Sequence, residues 1–464
     1  MVQILSDPVE ELRSRMRGRV ITAHDTDYDE ARRVWNAAID RRPKAVAMCE
    51  TVEDVVAAVS AARDSGLEIS VRCGAHNMSG SSVVDDGVVI DLRRMNRVVV
   101  DPDARTAVVG GGALLGELDA ATQEHGLAVP AGIVSHTGVG GLTLGGGMGH
   151  LSRMAGLTID NLVRAQVVTA SGEVLTASAD SHPDLFWAIR GGGGNFGVVT
   201  EFEFRLHPVG PMMSVGLMFW DLDHASAMLR FARGLIPTLP VDQNAMIVAM
   251  NAPPAPFVPP EYQGQPGQAM LVEGFGDPAD HAVLLDRIRS EVPPTWEFAS
   301  PMPYAALQQM MDEPNDWGRY DYDRTVYLED ISDEVIEVLA DELPNKRSPL
   351  SIAAFYRLDN AYSAVADGDT AFSGRRAPCY ALFLIAVCPN EELYAADRAW
   401  VQRVGDRLKP LGIGRAYVNG ITDNDPKVVA EAYGQATYDR LATVKRQYDP
   451  DNLFHRNHNI RPAG

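Results

Sequence analysis

Cysteine is scarce in this chain, and its scarcity sets aside two chemistries. The 464 residues hold four cysteines, at 49, 73, 379 and 388, and apart from Cys73, three residues before His76, none stands in a CxxC or CxxH pair. Neither a zinc site nor a disulfide framework is expected, no metal is called for, and a reducing cytoplasm is the expected compartment. Basic residues are also outnumbered. Forty-one Lys and Arg against 62 Asp and Glu leave a formal net charge of −21, which argues against nucleic acid or an anionic membrane as partner. No apolar run approaches the roughly 18 residues of a membrane-crossing helix. The stretch with Asp7, Glu10, Glu11 and Arg13 lacks the basic start and apolar core of a secretory leader, so none is expected. Nor does any GxGxxG stand between a strand and a helix with an acidic partner about 20 residues on, so a nicotinamide dinucleotide site is not expected.

Glycine, by contrast, is abundant and clustered. The apolar alternation of Leu67, Ile69 and Val71 predicts a strand that ends at Arg72 and opens into VRCGAHNMSG, where Gly74, Ala75 and Ser79 clear bulk from around His76. A helix precedes it: Thr51 is the N-cap, Asp54 stands three residues on, Val52, Val55, Val56, Val59 and Ala62 form the stripe, and Gly66 is the stop. This unit delivers the His76 loop at the carboxyl end of a strand, where α/β sheets take ligands. Nine glycines then fall between Gly132 and Gly156, although each costs a helix or strand roughly 0.5 to 1 kcal/mol relative to alanine. The reading that justifies this density is a nest of backbone N–H groups for a pyrophosphate; the alternative is a set of tight structural turns.

The length predicts two domains. Glycine clusters vanish after Pro208, which puts a boundary near 209. Beyond it, strands are expected at 214–220, 246–250, 269–275, 352–357 and 380–387, with helices at 225–234, 279–290, 333–342 and 393–408. That pattern reads as an antiparallel sheet with helices on one face. The Pro- and Gln-rich stretch 252–267 reads as an exposed loop or a lid over that sheet. The last residues, NHNIRP, read as extended, with Asn457 and Asn459 on one face and His458 on the other.

Four blocks, VRCGAHNMSG, GVGGLTLGGGMG, LFWAIRGGGGNFGVVTEFEF and YDPDNLFHRNHNIRP, occur in the order and approximate spacing of a known family. Together they resemble the berberine-bridge-enzyme-like branch of the vanillyl-alcohol oxidase and p-cresol methylhydroxylase (PCMH) superfamily. The resemblance implies an α+β, two-domain PCMH-type fold: an FAD-binding domain at 1–208, a substrate domain at 209–415, and a segment 416–464 that returns to the flavin. It implies a covalent bond from His76 to FAD. Val134 stands where many members carry a second, cysteinyl tether, so one bond is expected rather than two. It further implies cofactor contacts from Arg72, Cys73, Gly74, Ala75, Asn77, Thr137, Gly138, Gly140, Gly141, Thr143, Gly147, Gly149, Gly197, Val199, Asn457 and Asn459. Tyr433 and Tyr438 are read as flavin-edge or core residues, and His136 and His150 as flanking residues of the glycine block.

By the same resemblance the enzyme oxidises a small-molecule alcohol, amine or phenolic (polyketide-type) substrate of secondary metabolism by hydride transfer to flavin N5. Thr137 aligns with the family's oxygen gatekeeper, which implies molecular oxygen as acceptor. Dehydrogenase or monooxygenase-like chemistry and a catalytically silent binding protein are the alternatives. Tyr417, Asp359 and Tyr356 are the candidate bases. Arg324 aligns with an active-site lysine of relatives and would hold an anion or carbonyl, because a guanidinium cannot act as a base. Monomer and homodimer both fit.

Overall fold

The computed structural model describes residues 7–464. The helix Val52–Ser65 begins and ends as its sequence dictates: the Thr51 hydroxyl accepts the Asp54 N–H, Asp54 reaches back to the cap, and Gly66 stops the helix at a φ of 67°. It joins strand Ala45–Met48 to strand Ile69–Arg72, and both run parallel to Val88–Asp91 between them. Val20–Ile21 completes this four-stranded sheet at its edge. A second, antiparallel sheet of five strands follows, in the order Val98–Asp101, Thr106–Gly110, Val198–Arg205, Leu162–Val168 and Val174–Ser178.

The third sheet is antiparallel and has seven strands, in the order Trp296–Pro303, Met212–Asp221, Pro266–Gly274, Gln243–Asn251, Ile352–Leu358, Cys379–Cys388 and Tyr320–Leu328. Five of these coincide with sequence expectations. The other two read poorly as strands: Pro301 and Pro303 mark an edge, and Asp321 and Asp323 put carboxylates where an alternating strand shows its buried residues. The helices Leu222–Leu235, Pro278–Glu291, Asp333–Glu342 and Glu391–Leu408 all pack on one face of the sheet, against Ile247, Phe355, Leu382, Leu384, Tyr322 and Val326. Strand alternation turns the next residue of each strand toward the other face, and that face closes over the glycine loops.

The C-terminal helices Pro426–Tyr433 and Gln435–Tyr448 pack in the same apolar core as the five-stranded sheet. Buried Lys445 fastens the tail, donating to the carbonyls of Asn195 (2.7 Å) and Phe454 (2.9 Å) and to the Asp449 carboxylate (2.6 Å). The 252–267 loop is not a lid. Ala252 and Val258 seat it against Phe219 and Trp296 at the sheet's far edge, and none of its residues lines the cavity described next.

Candidate active site

A cavity of about 400 Å³ runs between the glycine loops and the open face of the seven-stranded sheet. Its floor is made of backbone. Strand Ile69–Arg72 ends beside Gly138, and the two chains touch so closely that a Cβ built on Gly74 would overlap the Gly138 amide nitrogen. Ala75 follows at a φ of 55°, a left-handed conformation that costs an alanine roughly 1–2 kcal/mol and that glycine adopts freely. The turn puts His76 on the cavity.

The His76 ring stacks on Trp35, with centroids 4.6 Å apart. Its Nε2 lies 2.6 Å from Nδ1 of His136, a partner for which the sequence carried only a weak signal, a histidine at the head of the glycine block. Burial, together with His136, pushes the His76 imidazole well below its ordinary range, so it is neutral. With Nε2 engaged, Nδ1 is the ring nitrogen without a partner among the described residues. Asn77 fixes the loop by accepting from the Ser79 N–H (3.1 Å), the Ser79 hydroxyl (2.7 Å) and the Ser81 N–H (3.1 Å).

The glycine block divides by function. Thr137, Gly138, Gly140 and Gly141 line the cavity at the start of helix Val139–Gly145. The first-turn N–H groups of Gly140 and Gly141 have no helical acceptor, and a Cβ on Gly141 would meet nothing within 4 Å. Thr143, Gly147 and Gly149 lie outside the lining. Thr143 is buried beneath the helix. A side chain at Gly147 would overlap Thr158 and one at Gly149 the Ala131 carbonyl, so these two are packing glycines. Gly197 and Val199 line the cavity.

The tail corrects another expectation. Residues 456–458 bend rather than run extended, so strict alternation fails: Asn457 and His458 line the cavity while Asn459 does not. Asn195 holds this bend, donating to the His458 carbonyl (3.1 Å) and accepting from the Ile460 N–H (3.0 Å). Asn457 Oδ1 is buried without a partner among the described residues. Tyr433 lines the cavity and donates to the Gly191 carbonyl at 3.0 Å; Tyr438 does not line it.

Tyr417 stands at the junction of floor and roof. Its hydroxyl oxygen accepts the Gly147 N–H at 2.9 Å and the Asn419 side-chain N–H at 3.1 Å, which leaves its own proton free to be donated. Burial pushes its pKa up to about 12. Gly420 packs so tightly on Thr325 that a Cβ would overlap its hydroxyl.

The roof is made of side chains. Met246, Val248, Ile352, Ala354, Tyr356, Phe383 and Ile385 face the cavity, joined by Asp321 and Asp323 from the strand the sequence concealed. Tyr356 meets the edge of Phe383 at 5.4 Å between centroids, and burial raises its pKa above the usual tyrosine value.

Several expected site residues point elsewhere. Arg72 is buried on the reverse of its strand, donating to the Ala31 carbonyl with Nε 3.6 Å from Asp91. Cys73 lines the cavity, but its thiol is turned to the Ala113 carbonyl at 3.3 Å and is pushed up to about 11 by burial. Arg324 sits one residue out of phase with Asp323, so it faces the helices and pairs with Asp406 at 2.7 Å. Asp359 accepts from Arg153 at 2.7 Å and Arg357 at 2.9 Å, outside the cavity lining. A carboxylate so paired is a clasp rather than a base. His150 pairs with buried Glu273, also outside the lining.

Known proteins share this arrangement. Residues 43–178 match the FAD binding domain family, and residues 416–461 the berberine and berberine like family. An FAD-linked oxidoreductase of Dictyostelium discoideum is 31% identical, across 98% of this chain and 97% of its own. The (R)-6-hydroxynicotine oxidase of Paenarthrobacter nicotinovorans is 32% identical, across 97% and 98%. Among solved structures, 6-hydroxy-D-nicotine oxidase from Arthrobacter nicotinovorans superposes with a TM-score of 0.82 at 28% identity, covering 97% of this chain and 98% of that one. A BBE-like protein of Physcomitrella patens shares the fold at a TM-score of 0.86, covering 98% and 99%, at 24% identity. FAD fits the residues present: a cavity of about 400 Å³, a floor of side-chain-free backbone at the first turn of helix Val139–Gly145, and an unpartnered amide oxygen at Asn457. With both ends of its flavin domain matched and full-length relatives above 30% identity, the chain belongs to the berberine-bridge-enzyme-like FAD-linked oxidoreductases.

Proposed function

We propose that the enzyme is an oxidase that carries FAD on a single bond from His76 and oxidises a small-molecule alcohol, amine or phenolic compound, with molecular oxygen as acceptor. The observation that carries this reading is His76 itself: a neutral imidazole on the cavity, stacked on Trp35, with Nε2 engaged by His136 and Nδ1 left for a bond. A second tether has no candidate. Val134 lines the cavity where the resemblance would place a cysteine, and the Cys73 thiol is turned away and protonated.

Bound there, FAD supplies the hydride acceptor. The rest is the protein's own work. Gly138, Gly140 and Gly141 offer backbone N–H groups without crowding a flat ligand. The Tyr417 hydroxyl stays protonated at neutral pH and donates toward the substrate, its oxygen polarised by the two N–H groups it accepts. Thr137 keeps a small side chain on the cavity, which supports oxygen access. The similarity to a relative named as an oxidase supports the choice of acceptor.

Acid precipitation of the purified protein tests the tether. The wild-type pellet is expected to stay yellow and the His76→Ala pellet to be colourless; flavin retained covalently by that variant would overturn the assignment. Peroxide formed on aerobic turnover would identify the oxidase, and its absence with an artificial acceptor still reduced would replace it with a dehydrogenase.

A further inference from the structure

Asp321 and Asp323 are the only charged side chains that the roof turns into the cavity among the described residues. They are 1% and 5% exposed, and Oδ1 of each is buried without a hydrogen-bond partner. Their strand is held still around them. Asn36 brackets Asp321, accepting from its N–H at 3.1 Å and donating to its carbonyl at 2.9 Å, while Thr422 accepts the Asp323 N–H at 3.1 Å. Positions two apart on one strand share a face, so the carboxyls stand side by side. Beside them the roof is apolar: Ile385 is the cross-strand neighbour of Asp323, and Ile352 is the next beyond it.

No lysine, arginine or histidine pairs with either acid among the described residues. The cavity's basic side chains are Arg456, His76 and His458, and none forms an ion pair with them. Burial raises both groups: Asp321, which also feels the charge of Asp323 beside it, stands well above its ordinary value, and Asp323 is pushed up to about 7 although its hydrogen bond with Asp321 works the other way. Above about 7 the pair therefore holds one proton and one negative charge. A buried, unpaired charge is destabilising until a counter-charge arrives, and no side chain supplies one.

We propose that the Asp321–Asp323 pair is the seat of a cationic nitrogen, so that the substrate is an amine bound as its ammonium ion with its hydrocarbon body on Ile352, Ala354, Phe383 and Ile385. This rests on the oxidase reading above and narrows its three substrate classes to one. The pair has a proton-transfer role as well. An N–H proton of the ammonium passes to the Asp323 carboxylate, which becomes a carboxylic acid, and the nitrogen keeps the bonding electrons as a lone pair. The amine is then neutral, the state from which a hydride can leave the adjacent carbon. Alcohols and phenols bring no charge to match the pair, and carboxylates are repelled by it.

Calorimetry on the flavin-loaded protein tests this with three probes of similar body: benzyltrimethylammonium, benzyl alcohol and benzoate. The wild type is expected to hold the ammonium at least tenfold tighter than the alcohol and to leave benzoate unbound. In the Asp321→Asn/Asp323→Asn variant the ammonium should lose tenfold or more while the alcohol is unchanged. Equal binding of ammonium and alcohol by the wild type, or an ammonium affinity untouched in the variant, would overturn the proposal. If the double variant does not fold, the wild-type ranking alone decides. Covalent flavin, read by its fluorescence on a denaturing gel, separates the two claims: flavin present without ammonium preference defeats only the amine seat, whereas absent covalent flavin defeats the tethered-oxidase reading.

Discussion

The floor and the roof of the cavity are built by opposite means. On the floor the working groups are backbone, and side chains are kept out: at Gly74 even one added carbon would overlap a neighbouring amide. On the roof the backbone is buried in a sheet and every second side chain is offered to the cavity. A floor made by omission tolerates little change, so it keeps a motif. Roof positions can be exchanged without moving the scaffold, so chemistry there can move from one strand to another and leave no motif behind. Here the carboxylates stand on Tyr320–Leu328 at the edge of the sheet, whereas Ile352–Leu358, two strands in, offers Tyr356.

Three perturbations probe that contrast. The largest effect is expected on the floor. Gly74→Ala forces a Cβ into the Gly138 backbone, and overpacking of this kind costs about 1–3 kcal/mol; melting temperature should fall and flavin absorbance per protein should drop sharply. A variant with normal flavin content would show that the two loops are free to separate.

On the roof the expected effect is a pH dependence. Burial raises Asp323 to about 7, so the group is protonated and neutral below that value and charged above it. Affinity for benzyltrimethylammonium should therefore rise as pH increases through about 7 and fall as pH drops below it. Tyr394 and Cys388 feel the charge of Asp321, but both are raised, Cys388 to about 11, and stay neutral there; Asn36 and Thr422 do not titrate. Asp323→Asn should flatten the profile in that range. A wild-type profile already flat near 7 would place the charge elsewhere.

The smallest effect belongs to the reverse of the roof. Arg324→Gln removes a solvent-open pair with Asp406, a change within about 1 kcal/mol, and flavin content and turnover should match the wild type. A large loss of turnover would put Arg324 in the cavity after all.

These asymmetries also explain what could be read from the residues alone. Helix Val52–Ser65, the His76 loop and the glycine block were legible because capping residues, stops and glycine density are local signals with one structural meaning. Ala75 was legible as a small residue beside His76, but its left-handed φ of 55° was not. Asp359 and Arg324 misled because alignment to a motif does not reveal phase along a strand, and one residue of phase separates cavity from helix. Asp321 and Asp323 were missed for a physical reason: carboxylates at alternate positions look like a solvated edge, and their burial depends on a loop near Asn36 and a turn at Thr422, both far away in sequence. Asn459 failed because the 456–458 bend is held by Asn195, another long-range contact.

That clasp of Asn195 on the tail bears on the order of events during biosynthesis. The floor, from Cys73 to Gly141, precedes Tyr417, Asn457 and His458 along the chain and is made before them. A nascent chain therefore holds a floor without its closing wall until those residues have been made. The cavity is complete only once residue 458 has been made, and a chain broken off before residue 457 keeps the His76 loop but lacks Asn457 and His458 from the wall beside it.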